Sequence, residues 1–343
     1  MKNNFFDFSP INLGNYYLKK IKLIILLYFF SHILKNYHFT FFFEKNNLEY
    51  CKHYGIFIYD YLDSFTIYNK IGNIGDYIQS IASLQFLPND CKPIFVDRDL
   101  IQYYHGPKIK LIINGFFSIR EGNKFCSDEI NPLFISYHIN NNNIDNRMIE
   151  HLKKNQPIGC RDHHTYKFLS GIGVKSYFSS CVTTTLNRKY FIHDSNINEG
   201  IIFTDFKFGK YPRADNYIKN LKAYNFSNIT YLTHKFNTNL TQLQRFKLAY
   251  NILQKYAKAK LVITTRIHAT LPCLSFRTPV IFINQKFRNR YAGLYEFFNT
   301  IGINSQNKFE INVKLDKEGF VINKENYLKY SFELKKIIYN KLK

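Results

Sequence analysis

One stretch of the sequence indicates the fold class more clearly than any other: VITTRIHATLPCLSFRTPVIFI, residues 262–283. It predicts a buried strand, a short loop carrying Arg266 and His268, a helix and a second buried strand. Ligands of open α/β sheets bind at the carboxyl ends of the strands. The arginine and the histidine therefore stand where a ligand is expected, and they supply a fixed positive charge and a group that titrates near neutral pH.

Short apolar runs and helical patterns alternate along the rest of the chain, as in a doubly wound α/β fold. The predicted strands are 55–59, 93–96, 109–114, 133–137, 158–160, 174–178, 201–204 and 229–232. The predicted helices are 72–84, 147–154, 164–169, 216–224, 242–257 and 327–343. We therefore predict an α/β protein with two Rossmann-like doubly wound domains that face a cleft.

The polar stretch 186–199 is the predicted linker between the two domains. We divide the chain into an N-terminal basic and apolar segment (1–45), an N-terminal Rossmann-like domain (46–188), a C-terminal Rossmann-like domain (189–310) and a C-terminal basic helix (311–343).

The chain is strongly basic, with 47 Lys and Arg against 25 Asp and Glu, a formal charge of +22. Such a charge indicates anionic partners: phosphorylated substrates, a membrane surface or nucleic acid. No nucleic-acid-binding signature is present, so we expect no nucleic-acid partner. The six cysteines form no CxxC pair and no metal-ligand spacing, so we expect reduced cysteines in a cytoplasmic protein and no metal site.

An apolar run at 23–34 follows three lysines at positions 19, 20 and 22. It is shorter than the ~20 residues of a membrane-spanning helix. No small-residue cleavage site of a signal peptide follows it. Two interpretations remain, a helix on the inner surface of the cell membrane or one packed on the protein itself. The first would make this cytoplasmic protein peripheral to an anionic membrane surface.

A glycine-containing loop, GNIGD at 72–76, opens an amphipathic helix. Glycines let the backbone approach a ligand closely, and a helix N-terminus favours an anion. The alternative for Asp76 is a simple helix cap.

Two further loops follow predicted strands. In GCRDHHT (159–165), Arg161 suits a bidentate contact with a carboxylate or phosphate, and an ion pair with Asp162 is the alternative. In SSCVTTT (179–185), the hydroxyls suit sugar or phosphate oxygens, or simply a turn. Arg288 and Arg290 follow the second buried strand of the stretch 262–283. They are candidates for binding an anion, or they are solvated loop charges.

Together these loops resemble the polysaccharide pyruvyl transferase family. The matching elements are GNIGD with Gln79-Ser80, Asn114-Gly115-Phe116, Ser136-Tyr137-His138, GCRD with Thr165, FSSCVTTT (178–185) and TRIHA (265–269). They follow the family's order and cover about residues 55–293. The chain departs from the family pattern at Ser180, Val182 and Phe116, where glycine, leucine and tryptophan are expected.

The resemblance implies transfer of a pyruvyl group from phosphoenolpyruvate to a sugar of a surface glycan or its lipid-linked precursor, with formation of a ketal. It also implies a fold like that of the GT-B glycosyltransferases. Arg161, Arg266 and His268 are the implied donor-binding and catalytic residues. We expect no cofactor besides phosphoenolpyruvate, which is the donor substrate. The expected substrate-binding residues are Gly72, Asn73, Gly75, Asp76, Gln79, His138, Thr183, Thr185, Thr265 and Arg288.

The residues suit this chemistry on physical grounds, because phosphoenolpyruvate carries a carboxylate and a phosphate that two arginines can bind. His268 is the leading candidate for the acid that protonates the methylene carbon, and Asp76 for orienting the acceptor hydroxyls. Two alternatives stay open. One is a glycosyltransferase of the same fold that uses a nucleotide sugar. The other is a non-catalytic glycan-binding protein at the membrane surface.

Overall fold

The computed structural model describes residues 50–61, 68–88, 92–117, 125–139, 144–192 and 199–342. All of these residues belong to one compact unit. The predicted N-terminal segment 1–45 lies outside the described residues, so both interpretations of the run 23–34 stay predictions. The division of the remaining chain into two domains also stays a prediction.

Six parallel strands form a first sheet. In chain order this part contains β1 (Tyr50–Ile58), β2 (Ile71–Asn73), α1 (Ile74–Leu84), β3 (Lys92–Asp97), β4 (Ile109–Phe117), β5 (Ile130–Ile139), α2 (Asn146–Lys154), β6 (Ile158–Cys160), α3 (His163–Gly171) and β7 (Ser176–Phe178). The sheet has the strand order β3-β1-β4-β5-β6-β7. Its central strands are apolar runs with little alternation, as expected for parallel strands covered on both faces.

A second six-stranded sheet follows. This part contains β8 (Glu199–Thr204), α4 (Pro212–Lys219), β9 (Ile229–Leu232), β10 (Lys235–Asn237), α5 (Gln242–Lys258), β11 (Ala259–Thr264), α6 (Ile267–Phe276), β12 (Val280–Asn284), β13 (Asn299–Ile303), β14 (Phe309–Asn312) and α7 (Tyr327–Leu342). The strand order is β14-β13-β12-β11-β8-β9, and only the pair of β13 and β14 is antiparallel. The α/β class with large parallel sheets is thereby confirmed.

A short antiparallel ribbon of β2 and β10 joins the two parts of the chain. Gly72 pairs with Phe236, and a Cβ atom added to Gly72 would lie 2.4 Å from Cζ of that phenylalanine. Just beyond the ribbon, Ile74 N donates to His234 O at 2.7 Å. The glycine loop of the first part is therefore held by the backbone of the second.

Most predicted elements are confirmed to within a few residues, and one predicted helix is shifted towards the N-terminus. The helix predicted at 216–224 is α4, Pro212–Lys219, because a proline in the first turn starts a helix without losing a hydrogen bond. The linker predicted at 186–199 stays a prediction, because residues 193–198 lie outside the described ranges. Leu186 is buried and its carbonyl accepts a hydrogen bond from Ser275 Oγ at 2.6 Å.

The C-terminal helix α7 packs against both parts of the chain. Tyr327 Oη donates to Leu274 O at 2.6 Å, and Leu342 O accepts from Tyr54 Oη at 2.9 Å.

Cys126, Cys160, Cys181 and Cys273 are buried free thiols. Within the described ranges, no helix has both the length and the apolar character that membrane crossing requires.

Candidate functional site

Each large sheet has one place where the strand order reverses, and ligands of open α/β sheets bind at such places. In the first sheet it lies between β1 and β4, and in the second between β8 and β11. The GNIGD loop lies next to the second reversal point, because Ile74 N donates to His234 O and His234 N donates to Asp205, which follows β8. We describe the candidate residues as two groups. The first-sheet group contains the GNIGD loop, Arg98, His138 and Arg161, and the second-sheet group contains Asp205, Arg266, His268 and Arg290.

Arg161 directly follows β6, and its side chain is only 3% exposed. Its Nε lies 3.9 Å from Asp162 Oδ2, too far for a hydrogen bond, and has no partner among the described residues. Asp162 is occupied elsewhere, because its carboxylate caps α3 at Thr165 N and binds His138 Nδ1 at 2.6 Å. Burial lowers the pKa of Arg161. The structure thus places a poorly compensated positive charge at a strand end.

His138 lies on β5 beside this arginine. Burial, and then the charge of Arg161, lower its pKa to about 4 despite the hydrogen bond with Asp162. The ring is therefore neutral near pH 7, and its Nδ1–H donates to the carboxylate. The remaining nitrogen, Nε2, is buried without a hydrogen-bond partner in the part of the chain that the structure describes. This Nε2 can accept a hydrogen bond from a hydroxyl group.

The GNIGD loop is organised by Asn73, which caps α1 by accepting a hydrogen bond from Gly75 N. Asp76 does not cap the helix. Its buried carboxylate accepts hydrogen bonds from Tyr61 Oη at 3.1 Å and Gln79 Nε2 at 3.4 Å. Burial raises the pKa of Asp76, and the charges of Arg98 and Arg161 act in the opposite direction.

Gly75 brings this loop against His268. A Cβ atom at Gly75 would lie 2.8 Å from His268 Nδ1, so only glycine allows the two elements to approach this closely. His268 is not in a loop, as the sequence predicted, but is the second residue of α6, and it is 7% exposed. The hydrophobic helix turns the ring inward.

Arg266 is the residue before α6, and it is held by an acid that sequence analysis missed. Its Nε donates to Asp205 Oδ2 at 2.6 Å across the reversal point between β8 and β11. The same carboxylate accepts from Thr233 Oγ1 at 2.6 Å and from His234 N at 3.0 Å. Asp205 has φ +51°, a strained left-handed conformation for a non-glycine residue.

His268 lies among positive charges. Burial lowers the pKa of its ring well below the usual value, and Arg161, His234, Arg290 and Arg266 lower it further. Nε2 of His268 is buried and lacks a partner in the described ranges. The ring is therefore neutral near pH 7 in the absence of a bound anion.

The loop after β12 offers two arginines, and the structure distinguishes between them. Arg288 is exposed. Arg290 is half-buried, donates from Nη2 to Tyr291 Oη at 2.7 Å, and lowers the pKa values of Arg161, His138 and His268. Its Nε is another buried donor for which the described residues provide no partner. Arg290, and not Arg288, therefore belongs to the second-sheet group.

Buried polar groups are normally hydrogen-bonded, so unpaired ones collected in one place indicate a ligand site. Across the two groups, the buried nitrogen atoms without a partner among the described residues are Nε of Arg161, Nε of Arg290, Nε2 of His138 and Nε2 of His268. Because two arginines dominate, the arrangement favours an anion. Among the residues that the structure describes, no cluster of His, Cys, Asp and Glu is arranged to hold a metal ion.

The sequence profile of the polysaccharide pyruvyl transferase family matches residues 73–286. The chain belongs to the polysaccharide pyruvyl transferase family. The resemblance drawn from the loops is thereby confirmed, and with it a transferase role in which a pyruvyl group is added to a polysaccharide. Most of the residues of the two groups lie in the matched range, and Arg288 and Arg290 lie just beyond it.

A solved structure of an uncharacterised protein from Klebsiella pneumoniae subsp. pneumoniae NTUH-K2044 is similar to the chain, with 17% sequence identity and a TM-score of 0.43. The similarity covers 80% of this chain and 97% of that one. No curated protein matches the chain.

In this family member, the hydroxyls of the threonine candidates make contacts within the protein. Thr185 Oγ1 donates to Val182 O at 2.6 Å and accepts from Gln85 Nε2, so its hydroxyl is used in packing. Thr183 is fully buried and contacts Cys181 Sγ. Thr265 Oγ1 donates to Asp205 O at 3.3 Å and helps to hold the Arg266 loop.

Asp205 and Arg98 are the charged residues of the two groups that sequence reasoning missed. Both directly follow strands, β8 and β3, so the strand-end rule that pointed to Arg266 would have found them. Tyr61, the partner of Asp76, follows β1 and has φ +54°. Its role depends on a contact that no local pattern reveals.

Proposed function

We propose that the chain transfers the pyruvyl group of phosphoenolpyruvate to two hydroxyls of one sugar, forming a ketal. One observation carries the proposal. Arg161, Arg290 and His268 come from three separate elements, and the charges of the two arginines lower the pKa of His268. Each of the three side chains has a buried nitrogen without a hydrogen-bond partner among the described residues. Phosphoenolpyruvate carries two anionic groups on a small skeleton, which such a group of donors suits.

Arg161 and the second-sheet arginines, Arg266 and Arg290, would bind the donor from two sides. Asp205 holds Arg266 through Nε, which leaves its terminal nitrogens to meet an anion. The bound phosphate and carboxylate would raise the pKa of His268, because they supply the negative charge that its surroundings lack. His268 would then carry the proton that the reaction needs.

In the reaction, His268 protonates the methylene carbon, and C2 becomes an electrophile. A first sugar hydroxyl forms a C–O bond to C2, and the C2–O bond to phosphate breaks. A second hydroxyl then forms the other C–O bond and closes the ketal. Of the two protons that the hydroxyls release, one replaces the proton given to carbon and the other leaves with phosphate.

Asp76 and His138 are our candidates for positioning the acceptor. The carboxylate of Asp76 is held by Tyr61 and Gln79, and Nε2 of His138 is unpaired in the described residues. Both accept hydrogen bonds, as sugar hydroxyls require. We further propose that the two sheets form two Rossmann-like domains with the acceptor in a cleft between them, in the manner of GT-B glycosyltransferases. No cofactor enters this scheme.

The test is to incubate the purified protein with phosphoenolpyruvate and extracted lipid-linked glycans, and to follow the addition of a pyruvyl group by mass spectrometry and the release of phosphate. Parallel incubations with UDP- and CMP-sugars test the glycosyltransferase alternative. Arg290→Gln and Arg288→Gln form a matched pair, since both remove a guanidinium from one loop.

We expect phosphoenolpyruvate-dependent product, strongly reduced by Arg290→Gln and nearly unchanged by Arg288→Gln. Sugar transfer from a nucleotide without any pyruvylation would contradict the proposed donor. Equal effects of the two arginine variants would contradict the assignment of Arg290.

A further inference from the structure

One face of the C-terminal helix α7 is buried against the rest of the protein. The buried residues recur with the helical period, and they are Tyr327, Ser331, Leu334, Ile338 and Leu342. Ser331 Oγ also donates to Thr184 O at 2.9 Å, which fixes the rotation of the helix. The orientation of the remaining faces follows from this contact.

A second apolar stripe of α7 lies beside the buried face, about 100° around the helix from it, and is exposed. Leu328, Phe332 and Tyr339 are 38%, 71% and 51% exposed. Their spacing of four and seven residues puts them on one side of the helix. Single exposed apolar residues are normal on protein surfaces, but three in line on one helix indicate a binding face.

Lysines border this stripe. On the helical wheel Lys335 lies on one side of it, and Lys329 and Lys336 lie on the other. With Lys341, α7 carries four lysines and a single acid, Glu333. An apolar stripe with basic borders is the pattern of helices that lie in the surface of an anionic bilayer.

A groove adjoins the stripe at Tyr339. The rings of Tyr339 and Phe86 pack edge to face, with their centroids 5.2 Å apart. Tyr339 also helps to line the groove, which has a volume of about 370 Å³. Leu87, Pro88 and Tyr54 also line this groove.

We propose that the exposed apolar stripe of α7 docks on an anionic phospholipid bilayer, with Leu328, Phe332 and Tyr339 in the interface and the neighbouring lysines at the head groups. The apolar side chains supply burial and the lysines supply attraction to anionic lipid. This proposal concerns a surface outside both charged groups, and it does not depend on the reaction.

The chain contains no tryptophan, so a single introduced tryptophan reports on one position. We would compare full-length Phe332→Trp with Tyr231→Trp, whose site is an exposed tyrosine outside α7. Emission would be recorded with phosphatidylglycerol vesicles, with phosphatidylcholine vesicles and with phosphatidylglycerol vesicles that contain brominated acyl chains. Circular dichroism would verify that both variants melt like the parent protein.

We expect a blue shift and bromine quenching for Phe332→Trp on phosphatidylglycerol vesicles alone, and neither for Tyr231→Trp. Adding Lys335→Glu and Lys336→Glu to the Phe332→Trp variant should raise the lipid concentration at the midpoint by at least about tenfold. An unshifted Phe332→Trp spectrum overturns the proposal, even if the protein sediments with the vesicles through another surface. A spectrum already blue-shifted without lipid also overturns it, because the face would then be covered by protein.

Discussion

Arg161 and Arg266 occupy equivalent places at the ends of strands in the two sheets, yet their surroundings differ. Arg161 is buried, its Nε has no hydrogen-bond partner among the described residues, and its nearby acid is occupied by His138. Arg266 is one-third exposed and paired with Asp205 at 2.6 Å. The first arginine is a poorly compensated charge, 3.9 Å from Asp162 Oδ2, that a bound anion would neutralise. The second is a compensated charge whose direction is set by its partner.

The largest expected effect is that of Arg161→Gln. We expect kcat/KM for phosphoenolpyruvate to fall about 10²-fold or more, because a charge-assisted contact to the donor is lost. Arg161→Lys should not restore activity, since lysine lacks the planar guanidinium. The free energy of unfolding should stay constant or rise, because the variant removes a buried charge whose ion pair with Asp162 is long, at 3.9 Å. A large loss of stability in urea unfolding would place Arg161 in the structural framework instead.

Gly75→Ala tests the contact between the two groups. A methyl group 2.8 Å from His268 Nδ1 must displace the ring, so we expect turnover to fall by tens of fold while the fold remains. Gly171→Ala is the matched control, because no atom lies within 4 Å of its added Cβ. Steady-state kinetics and melting curves of both variants provide the measurement. Normal activity of Gly75→Ala would show that the reaction does not need His268 in the position seen in the structure.

Asp205→Asn should lower kcat about tenfold without raising KM for phosphoenolpyruvate. The variant loses a charge-assisted hydrogen bond that orients Arg266, but it leaves the positive charge available to the donor. Arg266→Gln alone leaves the Asp205 carboxylate unpaired near the donor. The double variant should therefore be more active than Arg266→Gln. Strict additivity of the two effects would show that the pair does not act as a unit.

Donor binding should depend on pH through His268. Burial and neighbouring charges lower the pKa of this ring in the free protein, and a bound anion raises it, so the complex holds more protons than the free protein. Affinity for phosphoenolpyruvate should therefore weaken as pH rises, by up to about tenfold per pH unit. Calorimetry in buffers of different ionisation enthalpy should detect proton uptake. His268→Gln should abolish that uptake, and an unchanged uptake would assign the proton to another group.

The smallest effect is expected at Ser180, where the family pattern has glycine. Ser180 has φ +64° and its buried hydroxyl has no hydrogen-bond partner in the described structure. Ser180→Gly should raise the free energy of unfolding by about 1 kcal/mol and leave activity unchanged. Ser136 has a similar φ of +58°, but its Oγ accepts from Val182 N at 2.7 Å. Ser136→Gly should therefore bring no gain in urea unfolding.

The sequence alone determined the α/β class and the position of most strands and helices, since apolar periodicity and strand-end turns are local properties. It also indicated the family through six ordered motifs. It placed Arg161, Arg266 and His268 at strand ends, because the carboxyl ends of parallel strands share an edge. The structure confirms those positions and corrects that of His268 from loop to helix.

The tertiary structure alone decided which candidates lie together. From the sequence we selected Arg288 for substrate binding and named Arg290 only as a further anion-binding candidate. In the structure the loop after β12 places Arg290 near enough to lower the pKa of His268, while Arg288 is exposed. The pairing of Asp205 with Arg266 joins residues 61 positions apart. Whether a charge is compensated depends on such distant neighbours and on burial. The residue types were therefore readable from the sequence, but their electrostatic states were set by the folded chain.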